Sequence, residues 1–392
     1  MFLRSSKTIV VIPNKRTIVC HDYLSKVSIQ CEVETLYWLS RFNIWSSPEK
    51  IADEHPDYDR KDLIQKFLEL QEIGLLQKKG SKTAAREKHF SRDWKFGLSS
   101  AILHFTCTNS TYISLEESAV RQVEKLSEAP PPQLFKRSSQ LKNSFGFDSM
   151  PRIANLLRLM ATRRTNRSAQ SISLNQGQLL DCLFAGLGIT SFTQTVAGTV
   201  PLKMTPSGGA RNPFEAYVLV KDVTGMTPGF YHFSSSECVL TRVLNPPAEL
   251  SSTVLLGGQS WAEDMPAIVF LVAMLERTMW KYQDDNAYRV VLIEAGHIGQ
   301  NIVLAATAHG LTGCPTAALA HHEISKQLNL DDILHNPIYA ITLSYPKASP
   351  DVTHLNNDLP IVLQRCLQDR EQNPLDSKRR LPQRSLQNVN DI

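Results

Sequence analysis

No two cysteines in this chain stand at Cys-x-x-Cys spacing. The seven cysteines, Cys20, Cys31, Cys107, Cys182, Cys238, Cys314 and Cys366, are scattered and odd in number. That argues against both a zinc site and a disulfide framework, and free thiols in a reducing cytosol are expected. Long apolar runs are also missing. The longest, Ala267 to Leu275, is far below the ~18 residues that a membrane span needs. Met1 to Ser6 is short and mixed, unlike a secretory signal. Charge of one sign is scarce as well: 42 Lys and Arg face 38 Asp and Glu, for a net charge of +4. A nucleic-acid footprint would be larger and clustered. No internal repeat is visible. A soluble, cytoplasmic protein is expected, and 392 residues with 42% hydrophobic content suffice for two or three domains of ~100–200 residues each.

Residues 1–90 read as a small module. Thr8 to Ile12 and Thr17 to Cys20 suit two strands around Pro13-Asn14, and helices fit Val33 to Phe42, Ser47 to His55 and Tyr58 to Ile73. In the third helix Leu63, Phe67, Leu70 and Ile73 share one face, and Gly74 suits its end. Leu75 to Gly80 resembles a strand entering a β wing, so the expectation is a winged-helix-like domain. Its third helix mixes Asp59, Asp62, Glu69 and Glu72 with Arg60, Lys61 and Lys66, which is poor for phosphate contacts. Peptide binding or a structural role therefore ranks above DNA. Residues 91–150 read as a connector, with a helix from Trp94 to Phe105 and an extended Glu128-Ala-Pro-Pro-Pro132. A core domain spans 151–346. A polar tail, 347–392, containing Asp376 to Arg384, suits either disorder or wrapping of a partner subunit.

The core carries five candidate constellations. Arg163-Arg164-Thr165-Asn166-Arg167 offers forked donors suited to a dianionic phosphate, or simply a solvated helix end. Ser173 to Gln176 fits a capping box for a helix burying Leu179, Leu180, Leu183, Phe184 and Leu187. Thr205-Pro206-Ser207-Gly208-Gly209-Ala210-Arg211 lets backbone approach a ring system closely, with a strand expected over Phe214 to Val220. Arg277 to Tyr282 brings Lys281 beside Tyr282; a lysine desolvated beside an apolar ligand falls in pKa and can act as a base, whereas on the surface it would merely snorkel. Glu294-Ala-Gly-His297-Ile-Gly-Gln300-Asn301 opens a small-residue helix through Ala308, in which His297 is expected as a hydrogen-bonded core histidine. His321-His322-Glu323 lacks a third ligand at proper spacing, so no metal is expected.

Taken in order, the motifs Arg163-Arg164-Thr165-Asn166-Arg167, Gly188-Ile189-Thr190, Pro206-Ser207-Gly208-Gly209-Ala210, Pro228-Gly229-Phe230-Tyr231-His232, Lys281-Tyr282 and Glu294 to Asn301 resemble the SagB-type dehydrogenases of the nitroreductase superfamily, over about residues 150–346. The resemblance implies an α+β, nitroreductase-like homodimer with FMN at the subunit interface. Arg163, Arg164, Thr165 and Arg167 would hold the FMN phosphate and ribityl end. Pro206, Ser207, Gly208 and Gly209 would lie at the isoalloxazine, with Gly296 and Gln300 also in the cofactor site. Lys281 and Tyr282 would be catalytic. The implied activity is oxidation of azolines to azoles in a ribosomally made peptide carrying a leader, in concert with a cyclodehydratase. Alternatives are dehydrogenation of another peptide residue, a generic NAD(P)H nitro or quinone reductase, or a leader- or nucleic-acid-binding protein with a vestigial enzyme core. Thr165 stands where the family has Ser, and Pro315 to Ala320 and Leu343-Ser344-Tyr345-Pro346 lack expected glycines.

Overall fold

The computed structural model of the chain describes residues 1–109, 113–128, 154–195, 198–244 and 251–347. Pro130 to Pro132, Lys136 to Met150, Cys366 and the 376–384 stretch lie outside the described residues. Two compact units divide the chain. One comprises Met1–Tyr112 together with Thr165–Lys347, and the other includes the two helices α6 and α7 introduced below.

The first stretch contains β1 (Leu3–Ser5), β2 (Ile9–Asn14), β3 (Thr17–Asp22), β4 (Val27–Glu32), α1 (Glu34–Arg41), α2 (Pro48–Asp53), α3 (Arg60–Glu72) and β5 (Leu76–Lys78). Two of the three helices, α2 and α3, start where their capping chemistry dictates, whereas α1 has no side-chain cap. Ser47 accepts from the Lys50 N–H with Pro48 in the first turn, and Asp59 accepts from the Lys61 and Asp62 N–H groups. Leu63, Phe67 and Leu70 of α3 pack with Trp38, Phe42 and Leu3 in a core of their own. The hairpin expected after α3 does not form. β5 pairs antiparallel with β1, and the following residues enter α4 (Lys82–Asp93), whose Ser81 cap accepts from the Ala84 N–H. Good helix formers at Ala84 to Lys88 explain that choice. The expected wing thus has one strand after the helices, while β2, β3 and β4 form a separate antiparallel meander.

The expected helix from Trp94 begins later, as α5 (Leu98–Cys107), because Trp94 itself is extended. α6 (Leu115–Glu128) and α7 (Ala154–Thr162) follow. Next come α8 (Gln176–Leu187), β6 (Ile189–Thr195), β7 (Gly198–Lys203), β8 (Phe214–Val220), β9 (Gly229–Ser234), β10 (Val239–Leu244), α9 (Ser252–Leu255), β11 (Ala267–Met274), α10 (Leu275–Met279), α11 (Asp285–Ala308), β12 (Thr312–Thr316), α12 (His321–Leu328) and β13 (His335–Ser344). α8 starts two residues later than the capping-box reading. Asn175, not Ser173, accepts from the Gly177 and Gln178 N–H groups, and Ser173 Oγ donates to Asp222 at 2.7 Å. Phe184 is exposed, and Cys182 and Gly186 are buried on the inner face instead.

A six-stranded sheet in the order β10-β9-β8-β11-β13-β12 is antiparallel throughout. β11 is buried along its whole length, and strand alternation splits it between two faces. Ala267, Val269, Leu271 and Ala273 meet residues of α5, α8 and α11. Ile268 and Phe270 meet Leu255, Leu256 and Ile324 on the other face. The apolar run read from sequence is therefore a sheet's central strand. α11 also has the length and apolarity of a membrane span, yet its inner side lies in the same core. α5 joins that core through Ala101 and Phe105, and its Ser100 N–H donates to Asp285 at 2.7 Å. Residues 98–107 are thus part of the sheet's packing. α8 and α11 cross closely at Gly186, where a Cβ would lie 2.8 Å from Ile302 Cγ1.

Candidate functional site

Three anchors shape the Thr205–Arg211 stretch. Asn301 Nδ2 on α11 donates to Thr205 Oγ1 at 2.9 Å, and that hydroxyl donates to the Gly186 carbonyl at 2.7 Å. The Asn212 N–H donates to Ser207 Oγ at 2.8 Å, and Asn212 Nδ2 reaches the Pro201 and Ala210 carbonyls at 3.0 Å. Arg277 then donates to the Asn212 carbonyl at 3.0 Å. Between these anchors Gly209, Ala210 and Asn212 are all left-handed, at φ 60°, 54° and 48°. Such backbone is costly for residues with a Cβ and persists where surrounding bonds impose it.

Lys281 and Tyr282 close over this turn. They follow α10, and their backbone N–H groups donate to the Thr278 carbonyl at 3.1 and 2.9 Å. Lys281 Nζ sits 5.2 Å from the Tyr282 ring centroid. A Cβ on Gly209 would lie 2.5 Å from Tyr282 Oη and 2.9 Å from Lys281 Nζ. The structure thus brings Ser207, Gly208, Gly209, Lys281 and Tyr282 together. Lys281 is exposed, so the desolvation expected of a base is not supplied by the chain alone.

Glu294 of α11 has a role that its motif alone does not announce. It is buried and accepts hydrogen bonds from Ser207 Oγ and the Gly208 N–H. It also lines, with Gly208, Thr278 and Tyr282, a cavity of about 160 Å³. Burial pushes its carboxyl up to about 7, against those hydrogen bonds and the Lys203 charge. The stability this group contributes is therefore fully present below its unfolded value, near ~4.3, and is lost as pH rises through about 7. Glu294→Gln retains an acceptor oxygen and cannot ionise. It should melt with the wild type near pH 4 and above it near pH 8; coincident melting at both pH values would show that burial does not govern this carboxyl.

A second missed group joins three strand and helix positions. Glu215 pairs with Arg277 at 2.5 Å and with His232 at 2.8 Å. Burial would raise its carboxyl, but the bonds and charges of His232 and Arg277 hold it below the usual range. His232 and Arg277 stand in motifs quoted from the sequence, but nothing in their spacing points to Glu215.

The remaining expected residues lie elsewhere. Arg163 and Arg164 follow α7 in the other unit. Thr165 and Arg167 are exposed, and the Arg167 guanidinium sits 5.8 Å from the Trp261 ring centroid. Gly296, His297 and Gln300 are exposed along α11 with Ile293, so His297 is no core histidine: its position on the 3.6-residue repeat faces away from the sheet. His321 is buried, with Nδ1 accepting from the Asn109 N–H at 3.0 Å, and His322 is exposed.

A flavin needs a flat backbone surface for its ring and cations for its phosphate. The turn meets the first need: Pro206 and Gly209 are exposed, and no Cβ stands on Gly208 or Gly209. Open space faces Gly296, where a Cβ would meet nothing within 4 Å. Thr165 and Arg167, in the same unit as the turn, supply donors of the right chemistry. The residues present fit the group.

Comparison with known proteins agrees. The nitroreductase family model matches residues 160–345. A putative nitroreductase of Methanocaldococcus jannaschii, MJ1384, is 30% identical over 174 residues, covering 44% of this chain and 84% of that protein. The trifolitoxin-processing protein TfxB of Rhizobium leguminosarum bv. trifolii is 24% identical over 343 residues, 79% of this chain and 87% of its own length. The microcin B17-processing protein McbC of Escherichia coli is 29% identical over 153 residues, 36% of this chain and 54% of its own. With its α+β sheet, its two-glycine turn and these relatives, the chain belongs to the nitroreductase family, whose members are flavin oxidoreductases.

Proposed function

We propose that this chain is an FMN-dependent dehydrogenase of a ribosomally made peptide, oxidising azolines to azoles. The observation that carries the reading is the convergence of Lys281 and Tyr282 on Gly209, above a turn held from below by Glu294. Two peptide-processing relatives support the peptide as substrate.

FMN, when bound, supplies the acceptor for the hydride that an azoline must lose. Arg163, Arg164, Thr165 and Arg167 would hold its phosphate and ribityl end, Pro206 to Gly209 its ring, and Gly296 and Gln300 the facing side. Lys281 Nζ takes the proton from the ring carbon derived from the residue's α position, and Tyr282 Oη positions that amine at the Gly209 surface. Because Lys281 is exposed in the single chain, the bound substrate or a second copy must cover it to lower its proton affinity. The exposed stripe of Ile293, Gly296, His297 and Gln300 on α11 suits such a homodimer. Leader binding by residues 1–90 and a cyclodehydratase partner complete the proposal.

The purified chain should be yellow, release FMN on denaturation and convert a thiazoline-containing peptide to its thiazole. A colourless protein that takes up no added FMN would defeat the reading. Turnover of nitroaromatics with NAD(P)H, and none of the peptide, would favour the generic reductase, as the similarity to MJ1384 would suggest.

A further inference from the structure

A larger cavity, of about 510 Å³, opens beside the Gly209 turn, lined by Lys203, Arg211, Glu215, His232, Arg277 and Trp280. Its walls come from β7, the turn before β8 and the start of that strand, β9 with the turn after it, and α10 with Trp280. Three of the lining side chains are cationic and one is a carboxylate. Glu215 is already paired with Arg277 and His232. Lys203 and Arg211 make no salt bridge among the described residues. Among the described residues Lys203 Nζ donates to the Ser235 hydroxyl at 3.3 Å; Arg211 Nε donates to the Arg277 carbonyl at 3.1 Å, and its guanidinium lies 4.6 Å from the Trp280 ring centroid. Burial lowers the Lys203 ammonium's hold on its proton, with Glu215 opposing, so an anion entering here would relieve a cost the chain already bears.

The cavity has the size of a small-molecule or peptide-residue subsite. It also adjoins the catalytic candidates: Trp280 precedes Lys281, and Ala210 and Arg211 follow Gly209. A forked guanidinium beside an ammonium suits a carboxylate. Glu215 in the lining disfavours a dianion, which argues for a carboxylate over a phosphate.

We propose that this cavity is a specificity subsite that takes a peptide carboxylate, from an acidic side chain or the chain terminus, between Lys203 and Arg211 while the reacting ring lies at Lys281. For the identity of the carrier this rests on the peptide reading above. A monoanion there pairs the two unpaired cations, and Trp280, 62% exposed, flanks its peptide chain.

Trp280 also reports occupancy. The full-length chain would be titrated with acetyl-Ala-Asp-Ala-amide, its Asn counterpart, acetyl-Ala-Ala-Ala with a free terminus, and inorganic phosphate, reading tryptophan fluorescence against a Trp280→Phe control. At least one carboxylate peptide should bind saturably, and the Asn peptide about tenfold more weakly. The two carboxylate peptides separate the side-chain source from the terminal one. Lys203→Gln and Arg211→Gln should each weaken binding about tenfold, and Lys203→Arg should restore it. Equal binding of the Asn peptide, binding of phosphate alone, or wild-type binding by both Gln variants overturns the proposal. Flavin uptake by each variant checks its folding. Peptide binding without azoline oxidation would defeat the functional reading and leave this site standing; oxidation with no carboxylate preference would do the reverse.

Discussion

Gly209→Ala should fold, bind flavin more weakly because the methyl stands on the ring surface, and lose roughly 100-fold or more in turnover per bound flavin. The added methyl would sit 2.5 Å from Tyr282 Oη and 2.9 Å from Lys281 Nζ, so both groups must move. They are the far ends of flexible side chains, and moving them costs little stability. The backbone adds a second cost: φ at Gly209 is 60°, and a Cβ in the left-handed region costs roughly 1–2 kcal/mol, well within the 5–15 kcal/mol of a typical domain. Misplacing reacting groups by about 1 Å can cost on the order of 100-fold in rate. Turnover of an azoline peptide, normalised to bound flavin, makes the comparison. Unchanged kcat/KM would mean that the two side chains do not act from this position.

Lys281→Ala removes the proposed base outright and should lower kcat by about 100- to 10,000-fold, with flavin binding preserved because no expected cofactor contact involves Lys281. A small primary amine added to the medium should restore part of the rate. Tyr282→Phe should fall between this variant and the wild type, since the ring that lies 5.2 Å from Lys281 Nζ remains while the hydroxyl goes. A Lys281→Ala protein with full turnover on the peptide would remove the lysine from the chemistry and leave Tyr282 or Glu294 to be tested as the base.

The two variants separate geometry from chemistry. Gly209→Ala keeps every titrating group and disturbs where they sit, and Lys281→Ala keeps the turn and removes one proton acceptor. A loss in both, measured per bound flavin, is the pattern expected if the pair works at the turn.

Local signals were strongest where a single segment carried its own reason to fold. β8 ran over Phe214–Val220 as read, because its alternation and β-formers need no partner to be recognised. The starts of α2 and α3 were legible to within two residues for the same reason. Where two local options competed, tertiary structure chose. Asn175 outcompeted Ser173 as the cap of α8 because Ser173 found Asp222, and β5 took β1 in place of a following wing strand. β4, which pairs with β3, had no turn signature strong enough to announce it.

By itself the sequence determined the family resemblance, the order of the motifs and the residues of the two-glycine turn, since backbone that approaches a ring needs glycine at fixed places. Only the tertiary structure decided how those pieces meet. Antiparallel pairing of β8 with β9 sets Glu215 beside His232, 17 residues on, and α10 brings Arg277 to Glu215. The crossing of α8 and α11 at Gly186 anchors Thr205 through Asn301 and sets Glu294 under Ser207 and Gly208. Contacts between residues this far apart depend on which faces bury together, and no local pattern encodes that.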